Sequence, residues 1–293
     1  MGRALADAFA ICRETFAEAD AALGEPLSRI CFDGPDDQLT LTENAQPAIL
    51  AVSIAAYRLL ASHGVSPAFV AGHSLGEYSA NVAAETFAFA DALQIVRRRG
   101  RYMQEAVPVG VGAMAAILGL EAEVVATACA DAAQGEIVSP ANLNGAGQVV
   151  IAGAAAAVAR AGERAKALGA RRVIPLSVSA PFHCGLMQPA QARLAPELRA
   201  LAVRDPRVPI VANVDAEPKR RAADAIEALV AQVSYPVRWE SVVRRLASEG
   251  VTTYVEVGPG TVLSGLVRKI HRDATVLSVG GPGDLAAVDA LVQ

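Results

Sequence analysis

Aromatic residues are scarce in this chain: Phe, Trp and Tyr together make up 4% of its 293 residues. A core of ordinary density therefore has to be built from small and aliphatic side chains, and 53% of the residues are hydrophobic. Since charged residues make up only 19%, the chain lacks the composition of a disordered protein. Ala-rich helical segments alternate with short Val/Ile runs, which is typical of an α/β protein.

Paired cysteines, an excess of positive charge and long apolar runs are also absent. The four cysteines form neither a CxxC pair nor a metal-ligand spacing, so we expect reduced thiols and no metal site. No signal peptide is visible, which favours a cytoplasmic protein. The apolar runs are interrupted before they could span a membrane. A net charge of −4 gives no indication of nucleic-acid binding. We expect neither a membrane nor a nucleic acid as a partner.

The order of the predicted elements indicates two structural units. Residues 113–180 are predicted to form the elements β-α-β-β-α-β, which is the ferredoxin-like pattern, and so read as a small inserted subdomain. The remaining residues, 1–112 and 181–293, are predicted to form a larger α/β domain. Its predicted elements include helices at about 4–23, 46–63 and 89–106, and a buried strand at 68–72.

Residues 72–76, GHSLG, fit the G-x-S-x-G nucleophile elbow. Alone the pattern is only moderately specific, because glycine-rich turns that contain Ser are common. Here a predicted strand precedes it and a predicted helix follows it, which is the context that the motif requires. The helix that begins at Leu75 would direct its free N–H groups and the positive end of its dipole at an oxyanion formed on attack by Ser74.

A serine of ordinary pKa needs a general base, and the chain contains four histidines. His63 and His271 lie at predicted helix ends, where a surface role is favoured. His73 directly precedes Ser74, so its side chain is predicted to point away from the nucleophile and to support the site. His183 follows a predicted strand and a proline turn, and by elimination it is the candidate base.

Five separated motifs cover nearly the whole chain in order: GHSLGEYSA (72–80), RRRGRYMQEAVP (97–108), NLNGAGQVVIAG (142–153), VSAPFHC (178–184) and YVEVGPG (254–260). Taken together they resemble the malonyl-CoA:acyl carrier protein transacylases of fatty-acid synthesis. The acyltransferase domains of polyketide synthases are relatives of this family. Because five motifs occur in the family's order, the resemblance is specific.

The resemblance implies a role for each of five residues. Ser74 would be the nucleophile and His183 the base, while the Leu75 N–H would stabilise the oxyanion. In place of a third triad carboxylate, the backbone carbonyl of Gln232 would orient the histidine. Arg99 would pair with the free carboxylate of the malonyl group, because a guanidinium offers a planar fork and keeps its charge when desolvated.

Three further residues are expected to line the cleft: His73, Phe182 and Asn144. Phe182 resembles the malonyl-selecting form of its motif, in which a bulky ring leaves no room for an α-methyl group. One methyl group discriminates by about 1–3 kcal/mol. Asn144 matches a cleft-lining residue of the family, although the segment NLNGAG is equally consistent with an exposed turn.

The family implies an α/β-hydrolase-like large domain, residues 1–112 and 181–293, with the ferredoxin-like subdomain at 113–180. It also implies a ping-pong reaction. Malonyl moves from coenzyme A to Ser74, and then to the phosphopantetheine thiol of an acyl carrier protein, in fatty-acid biosynthesis. Coenzyme A enters as the thioester substrate, and we expect no bound cofactor and no metal. We also expect a monomer.

At its start the chain departs from the family pattern. Family members open with a β-strand and a GQGSQ-like loop, whose glutamine supplies a second oxyanion N–H, and Met1 stands after the point where that loop should end. We therefore expect the first strand and half of the oxyanion hole to be missing.

Two alternative functions stay open. A serine thioesterase or esterase predicts an acidic triad member and leaves Arg99 without a role, and an inactive truncated relative predicts no reaction.

Overall fold

Helices dominate the chain in the computed structural model, which describes residues 1–292. Most of them carry a stripe of buried Ala, Val and Leu side chains, as an α/β protein poor in aromatics requires. The helices are α1 (Arg3–Ala8), α2 (Ala10–Leu23), α3 (Leu27–Asp33), α4 (Asp36–Thr40), α5 (Thr42–Ser62), α6 (Leu75–Ala83), α7 (Phe89–Glu105), α8 (Ala122–Ala132), α9 (Ala155–Ala167), α10 (Gln188–Arg199), α11 (Ala222–Gln232), α12 (Trp239–Ser248), α13 (Val262–Ile270) and α14 (Leu285–Val292).

The strands are short and fall into three groups. They are β1 (Val70–Ala71), β2 (Gly112–Leu118), β3 (Val138–Gly145), β4 (Gln148–Ala154), β5 (Arg172–Pro175), β6 (Ile210–Val211), β7 (Pro218–Lys219), β8 (Thr253–Val257) and β9 (Thr275–Val279). Within residues 1–292 no strand precedes β1. The predicted strand at 68–72 is thus confirmed at its centre.

The first helical segment differs from the prediction. The expected helix at 4–23 is two helices, α1 and α2, joined at Phe9, whose backbone is extended (φ −129°, ψ 127°). This break lets both helices direct apolar side chains into the main core, Leu5 from α1 and Phe16 from α2. Tertiary packing therefore overrides a continuous helical periodicity.

Helix α5 lies at the centre of the main core. By length and apolar composition it could cross a membrane, but 67% of its most apolar window is buried within the protein. It packs against α2, α6 and α7, and it begins one turn before the predicted start at residue 46. Consequently α5 brings Gln46 and Ser53 from its buried side into the interior.

Strand β1 leads into the elbow and lies beside β6. The two strands are parallel, with Val70 opposite Ile210 and Ala71 opposite Val211. Strand β7 adds to β6 in the antiparallel sense. Strands β8 and β9 form a separate parallel pair. Because parallel strands end at the same edge, the loops after β1 and β6 meet there.

The strands of residues 112–175 form one antiparallel sheet in the order β3-β4-β2-β5. One face packs against α8 and α9 through small and aliphatic side chains such as Ile117, Val125 and Ala161. The other face carries Met114 and Val150, and it contacts the segment around Cys184. The alternation of the two faces along each strand follows from the two-residue period of β structure. The sequence segment 171–179 predicts the last strand of this sheet, and β5 ends earlier than that, at Pro175.

The antiparallel sheet is joined to the rest of the molecule along β3. The Leu143 N–H donates to the Val237 carbonyl (2.8 Å), and the Val237 N–H donates to the Ala141 carbonyl (2.9 Å). Val237 follows α11 and precedes α12, so this backbone ladder fixes the sheet relative to both helices. The same ladder places Asn144, near the end of β3, beside the elbow.

Candidate active site

Ser74 occupies a strained turn between β1 and α6. Its backbone has φ 52° and ψ −106°, a conformation that a residue with a side chain rarely adopts. Asn213, in the loop after β6, holds the turn from the neighbouring strand. It accepts from the Ser74 N–H at Oδ1 (2.7 Å) and donates from Nδ2 to the Gly72 carbonyl (2.7 Å). The expected elbow is therefore present and has a side-chain clamp.

The two glycines of the elbow differ in what surrounds them. A Cβ on Gly72 would lie 2.0 Å from the carbonyl carbon of Gly76, so the chain passes too close to itself for any side chain there. A Cβ on Gly76 would meet nothing within 4 Å. Gly72 is thus required by close approach, and Gly76 borders open space. Leu75 is the first residue of α6, so its N–H has no acceptor within the helix.

His183 lies within hydrogen-bonding distance of the Ser74 hydroxyl, with Nε2 2.7 Å from Oγ. Its Nδ1 is 2.9 Å from the Gln232 carbonyl. Because a carbonyl oxygen only accepts, Nδ1 carries the proton and Nε2 is free to accept one from the serine. Burial, reinforced by the charge of Arg99, lowers the pKa of His183 to about 3, so the imidazole is neutral at ordinary pH.

Arg99, on α7, also extends its side chain to the Ser74 hydroxyl. Only 2% of it is exposed. It donates from Nη1 to Gln46 Oε1 (2.6 Å), and from Nη2 to Gln232 Oε1 (2.9 Å) and Ser74 Oγ (3.1 Å). Its Nε has no hydrogen-bond partner among the described residues. The guanidinium also lies 5.3 Å from the centre of the Tyr78 ring. A buried cation thus stands beside the nucleophile with part of its donor capacity unused.

Glu77, in the first turn of α6, is a buried acid that the sequence reasoning missed. It is 1% exposed, and its Oε2 accepts from Gln232 Nε2 (2.8 Å) and from the Asn213 N–H (3.1 Å). Burial is the largest cause that raises its pKa to about 7. Its place three residues after Ser74, facing inward on α6, is the one signal that could have found it.

His73 and Asn144 meet beside the elbow. His73 Nε2 is 3.0 Å from Asn144 Oδ1, and its ring centroid is 5.7 Å from that of Trp239. Burial lowers the pKa of His73, so the neutral ring donates from Nε2. Asn144 is buried, and the exposed-turn alternative for it is therefore wrong. Phe182 is half-buried and packs against the main core and the Cys184 cluster.

The structure brings the main predicted residues together: Ser74, His183, Arg99 and Gln232 are linked by direct hydrogen bonds. Sequence reasoning missed Gln46 and Asn213 as well as Glu77, and nothing in the local pattern at these two marks them. In the described part of the chain no group of three or more His, Cys, Asp or Glu residues could hold a metal ion.

Nearly the full length of the chain matches one known family: residues 1–281 fit the family model described as the acyl transferase domain. The chain belongs to this family. Among curated members, the malonyl CoA-acyl carrier protein transacylase of Escherichia coli K12 is 48% identical over 284 residues, 97% of this chain and 92% of that one. The transacylase of Bacillus subtilis 168 is 47% identical over 283 residues, 96% and 89% of the two chains.

Solved structures of acyl transferase relatives superpose closely. An acyl carrier protein S-malonyltransferase from Vibrio cholerae has a TM-score of 0.96 and 46% identity, covering 98% of this chain and 94% of that one. A malonyl-transacylase in complex with a type II polyketide synthase acyl-carrier protein has a TM-score of 0.97 and 44% identity, covering 99% and 94%. The mixed α/β fold described above is therefore that of these enzymes.

Proposed function

We propose that this chain is a malonyl-CoA:acyl carrier protein S-malonyltransferase of fatty-acid biosynthesis. The observation that carries the proposal is the position of Arg99, whose Nη2 lies 3.1 Å from the Ser74 hydroxyl in a buried site. A guanidinium there can bind the free carboxylate of a malonyl group while the thioester carbonyl faces the serine. The activity for which the relatives are named, and the structure of one of them in complex with an acyl-carrier protein, support the same reaction.

Acylation begins when Ser74 Oγ attacks the thioester carbonyl. His183 Nε2 accepts the hydroxyl proton, and its Nδ1 stays bonded to the Gln232 carbonyl, which stabilises the imidazolium. The Leu75 N–H, at the start of α6, stabilises the oxyanion. When the C–S bond breaks, His183 returns the proton to the sulfur of coenzyme A, and a malonyl ester remains on Ser74.

Transfer reverses these steps on a second thiol. The phosphopantetheine thiol of the carrier protein gives its proton to His183 and attacks the ester carbonyl, and the Ser74 oxygen leaves with the proton restored. No metal or bound cofactor takes part in either half of the reaction. Coenzyme A is present only as the thioester substrate and as the released thiol.

The charge of Arg99 also affects the strength of the base. In the empty site this charge is one of the causes that lower the pKa of His183. A malonyl carboxylate bound to Arg99 neutralises the charge, so the pKa of His183 rises when a dicarboxylic acyl group is present. An acetyl group has no such effect. The base is thereby strengthened by the substrate that the arginine selects.

Two other functions fit the site less well. A serine thioesterase or esterase would use a carboxylate behind the histidine, whereas a backbone carbonyl fills that position here. It would also give Arg99 nothing to bind. An inactive relative would not need the Ser74–His183 geometry, which is in place at 2.7 Å. His73, Phe182 and Asn144 are proposed to shape the cleft around the acyl group.

We propose the same division of the chain as the sequence predicts, with an α/β-hydrolase-like domain (1–112 and 181–293) and a ferredoxin-like subdomain (113–180). The antiparallel order β3-β4-β2-β5 with α8 and α9 on one face supports the second assignment. A cytoplasmic, monomeric protein stays a prediction. The four cysteines are free and buried, as suits a reducing compartment.

The test is the site of acylation. After a short incubation with malonyl-CoA, peptide mass spectrometry should find one malonyl group, on Ser74, and adding a phosphopantetheinylated carrier protein should remove it. Ser74→Ala should abolish the adduct, while Ser248→Ala, at an exposed helix end, should keep it. Rapid release of free malonate without a carrier protein would favour a thioesterase. An adduct that survives Ser74→Ala would overturn the assignment.

A further inference from the structure

Glu77 is a buried carboxylate to which the mechanism above gives no role. Glu77 is 1% exposed, and its Oε2 accepts from the side chain of Gln232 and from the backbone N–H of Asn213. An acid at this depth is costly to ionise unless a cation balances it. The buried cation nearest to it through hydrogen bonds is Arg99.

The carboxamide of Gln232 connects Glu77 to Arg99. Its Nε2 donates to Glu77 (2.8 Å), and its Oε1 accepts from Arg99 (2.9 Å). A carboxylate only accepts and a guanidinium only donates, so the amide has one permitted orientation between them. The same residue holds the Nδ1 of His183 with its backbone carbonyl. Gln232 therefore forms hydrogen bonds with the buried acid Glu77, the buried base His183 and the buried cation Arg99.

Arg99 makes no ion pair of its own. In the described chain no carboxylate oxygen lies within 4.0 Å of its guanidinium, and its acceptors are the neutral side chains of Gln46, Gln232 and Ser74. Glu77 is the carboxylate joined to it through one amide, and the two charges favour each other's ionised form. In the empty site Glu77 thus supplies the balancing negative charge.

We propose that Glu77 is a positioning residue that acts through Gln232: it balances the charge of Arg99 in the empty site, and it takes up a proton from solvent when a substrate carboxylate binds to Arg99. This inference rests on the proposed function, in which Arg99 receives the malonyl carboxylate. Once that carboxylate neutralises the guanidinium, the buried site holds one negative charge too many. Protonation of Glu77 removes the excess.

The groups that act on Glu77 come from three elements: the loop between β6 and β7, helix α11 and helix α7. Burial raises its pKa to about 7, and Asp215 in the loop before β7 raises it further. The hydrogen bonds from Gln232 and Asn213 lower it, and so does the charge of Arg99. When the substrate cancels the Arg99 contribution, the pKa of Glu77 rises above its value in the empty site.

The other titratable groups of the site stay in one state near neutral pH. Burial and the charge of Arg99 lower the pKa of His183 to about 3, and burial lowers that of His73, so both rings are neutral. Burial raises the pKa of Tyr78, whose ring faces Arg99, to about 12. Glu77 is consequently the group whose protonation changes between pH 6 and 8.5.

The sign of the pH effect follows from linkage. A ligand that raises the pKa of Glu77 binds together with a proton, so malonyl recognition strengthens as the pH falls through the pKa of the empty site. For charges roughly 10 Å apart at an effective dielectric constant near 20, the coupling is on the order of tenfold. Acetyl recognition, which leaves Arg99 uncompensated, lacks this dependence.

The experiment measures kcat/KM for malonyl-CoA and for acetyl-CoA between pH 6 and 8.5, and follows their ratio so that titration of coenzyme A cancels. In the unsubstituted protein the malonyl-to-acetyl ratio should fall by about tenfold over this range. In Glu77→Gln the ratio should be flat. Glu77→Asp, which restores the charge, should recover the slope. Glu85→Gln, which removes an exposed carboxylate just beyond α6, should keep it.

The inference and the proposed function fail in different ways. Absence of any malonyl transfer would contradict the proposed function. Transfer with a pH-independent ratio in the unsubstituted protein, or an unchanged slope in Glu77→Gln, would overturn the role of Glu77. Should Glu77→Gln not fold, proton uptake by the unsubstituted protein on mixing with malonyl-CoA but not acetyl-CoA, read with a pH indicator at pH 7.5, decides the matter. No difference between the two thioesters would reject the inference.

Discussion

The burial and the hydrogen-bond partners of Arg99 depend on the face of α7 that it occupies. It is the last of three consecutive arginines on α7, and the two that precede it face other partners. Arg97 is paired with Glu25, and Arg98 with Glu197 near the surface. Arg99 alone of the three is buried, because α7 directs it inward to Gln46 and Gln232. Identical side chains thus have different functions according to the helix face that they occupy.

Replacing Arg99 tests its selectivity. Arg99→Ala should reduce malonyl transfer by about 10²–10⁴-fold, since loss of one partner of a desolvated charge pair costs about 3–5 kcal/mol. Acetyl transfer, which does not use the guanidinium, should fall much less. The measurement is kcat/KM for the two thioesters. Arg98→Ala is the matched control and should change neither by more than about twofold, as expected for an exposed ion pair. Equal losses on both substrates in Arg99→Ala would make the arginine structural.

Among the elements, the β1–α6 turn imposes the strictest geometry. It places Ser74 at a positive φ and brings Gly72 against Gly76. Asn213 holds the turn from the loop after β6. The nucleophile is therefore positioned by two adjacent parallel strands. The strain at Ser74 persists because hydrogen bonds from elsewhere in the chain hold it.

The two elbow glycines give a matched pair of substitutions. Gly72→Ala should lower the free energy of unfolding by about 1–3 kcal/mol or more, because its Cβ has no room beside the Gly76 carbonyl. Gly76→Ala, with open space around its Cβ, should leave stability unchanged or raise it by about 0.5–1 kcal/mol, as is usual within a helix. Denaturant unfolding of the two variants measures both. Similar losses in the two would show that the turn can relax around a side chain at residue 72.

For the molecule as a whole, buried ionisable groups link the active site to stability. His73 and His183 have a pKa below the ordinary value of 6.5, because burial disfavours their charged forms. Unfolding releases them to bind protons below pH 6.5, so each destabilises the fold as the pH falls. Glu77 has the opposite effect, because folding raises its pKa from 4.5 to about 7. Between those two pH values the folded protein binds the proton more tightly than the unfolded chain, so Glu77 stabilises the fold as the pH falls. Two histidines oppose one glutamate.

The net effect should be a fall in stability on acidification. From pH 7 to 5 the melting temperature should decrease, since each histidine contributes up to about 1.4 kcal/mol per pH unit below 6.5 and Glu77 offsets only one of them. Glu77→Gln removes the offset, so its melting temperature should fall more steeply over the same range. Thermal unfolding at several pH values measures both slopes. A melting temperature at pH 5 equal to that at pH 7 would contradict this balance.

Much of the site follows from the sequence because its signals are local. The elbow is a five-residue motif between a short apolar strand and an amphipathic helix, and both flanking elements are visible in the hydrophobic pattern. His183 follows from elimination among four histidines. Arg99 and Gln232 follow from a resemblance spread over five motifs. The hydrophobic pattern also predicted four strands and two helices between residues 113 and 180, and strands β2 to β5 and helices α8 and α9 occur in that order, with β5 ending earlier than predicted.

What the tertiary structure alone decided is the set of partners around these residues. Gln46 meets Arg99 across 53 residues, and Glu77 meets Gln232 across 155. No local pattern specifies such pairs, because they depend on how α5, α6, α7 and α11 pack against one another. Burial is decided at the same level, and burial is what moves the pKa of Glu77 to about 7 and of His183 to about 3. The sequence determined which groups can react, and packing determined their charge.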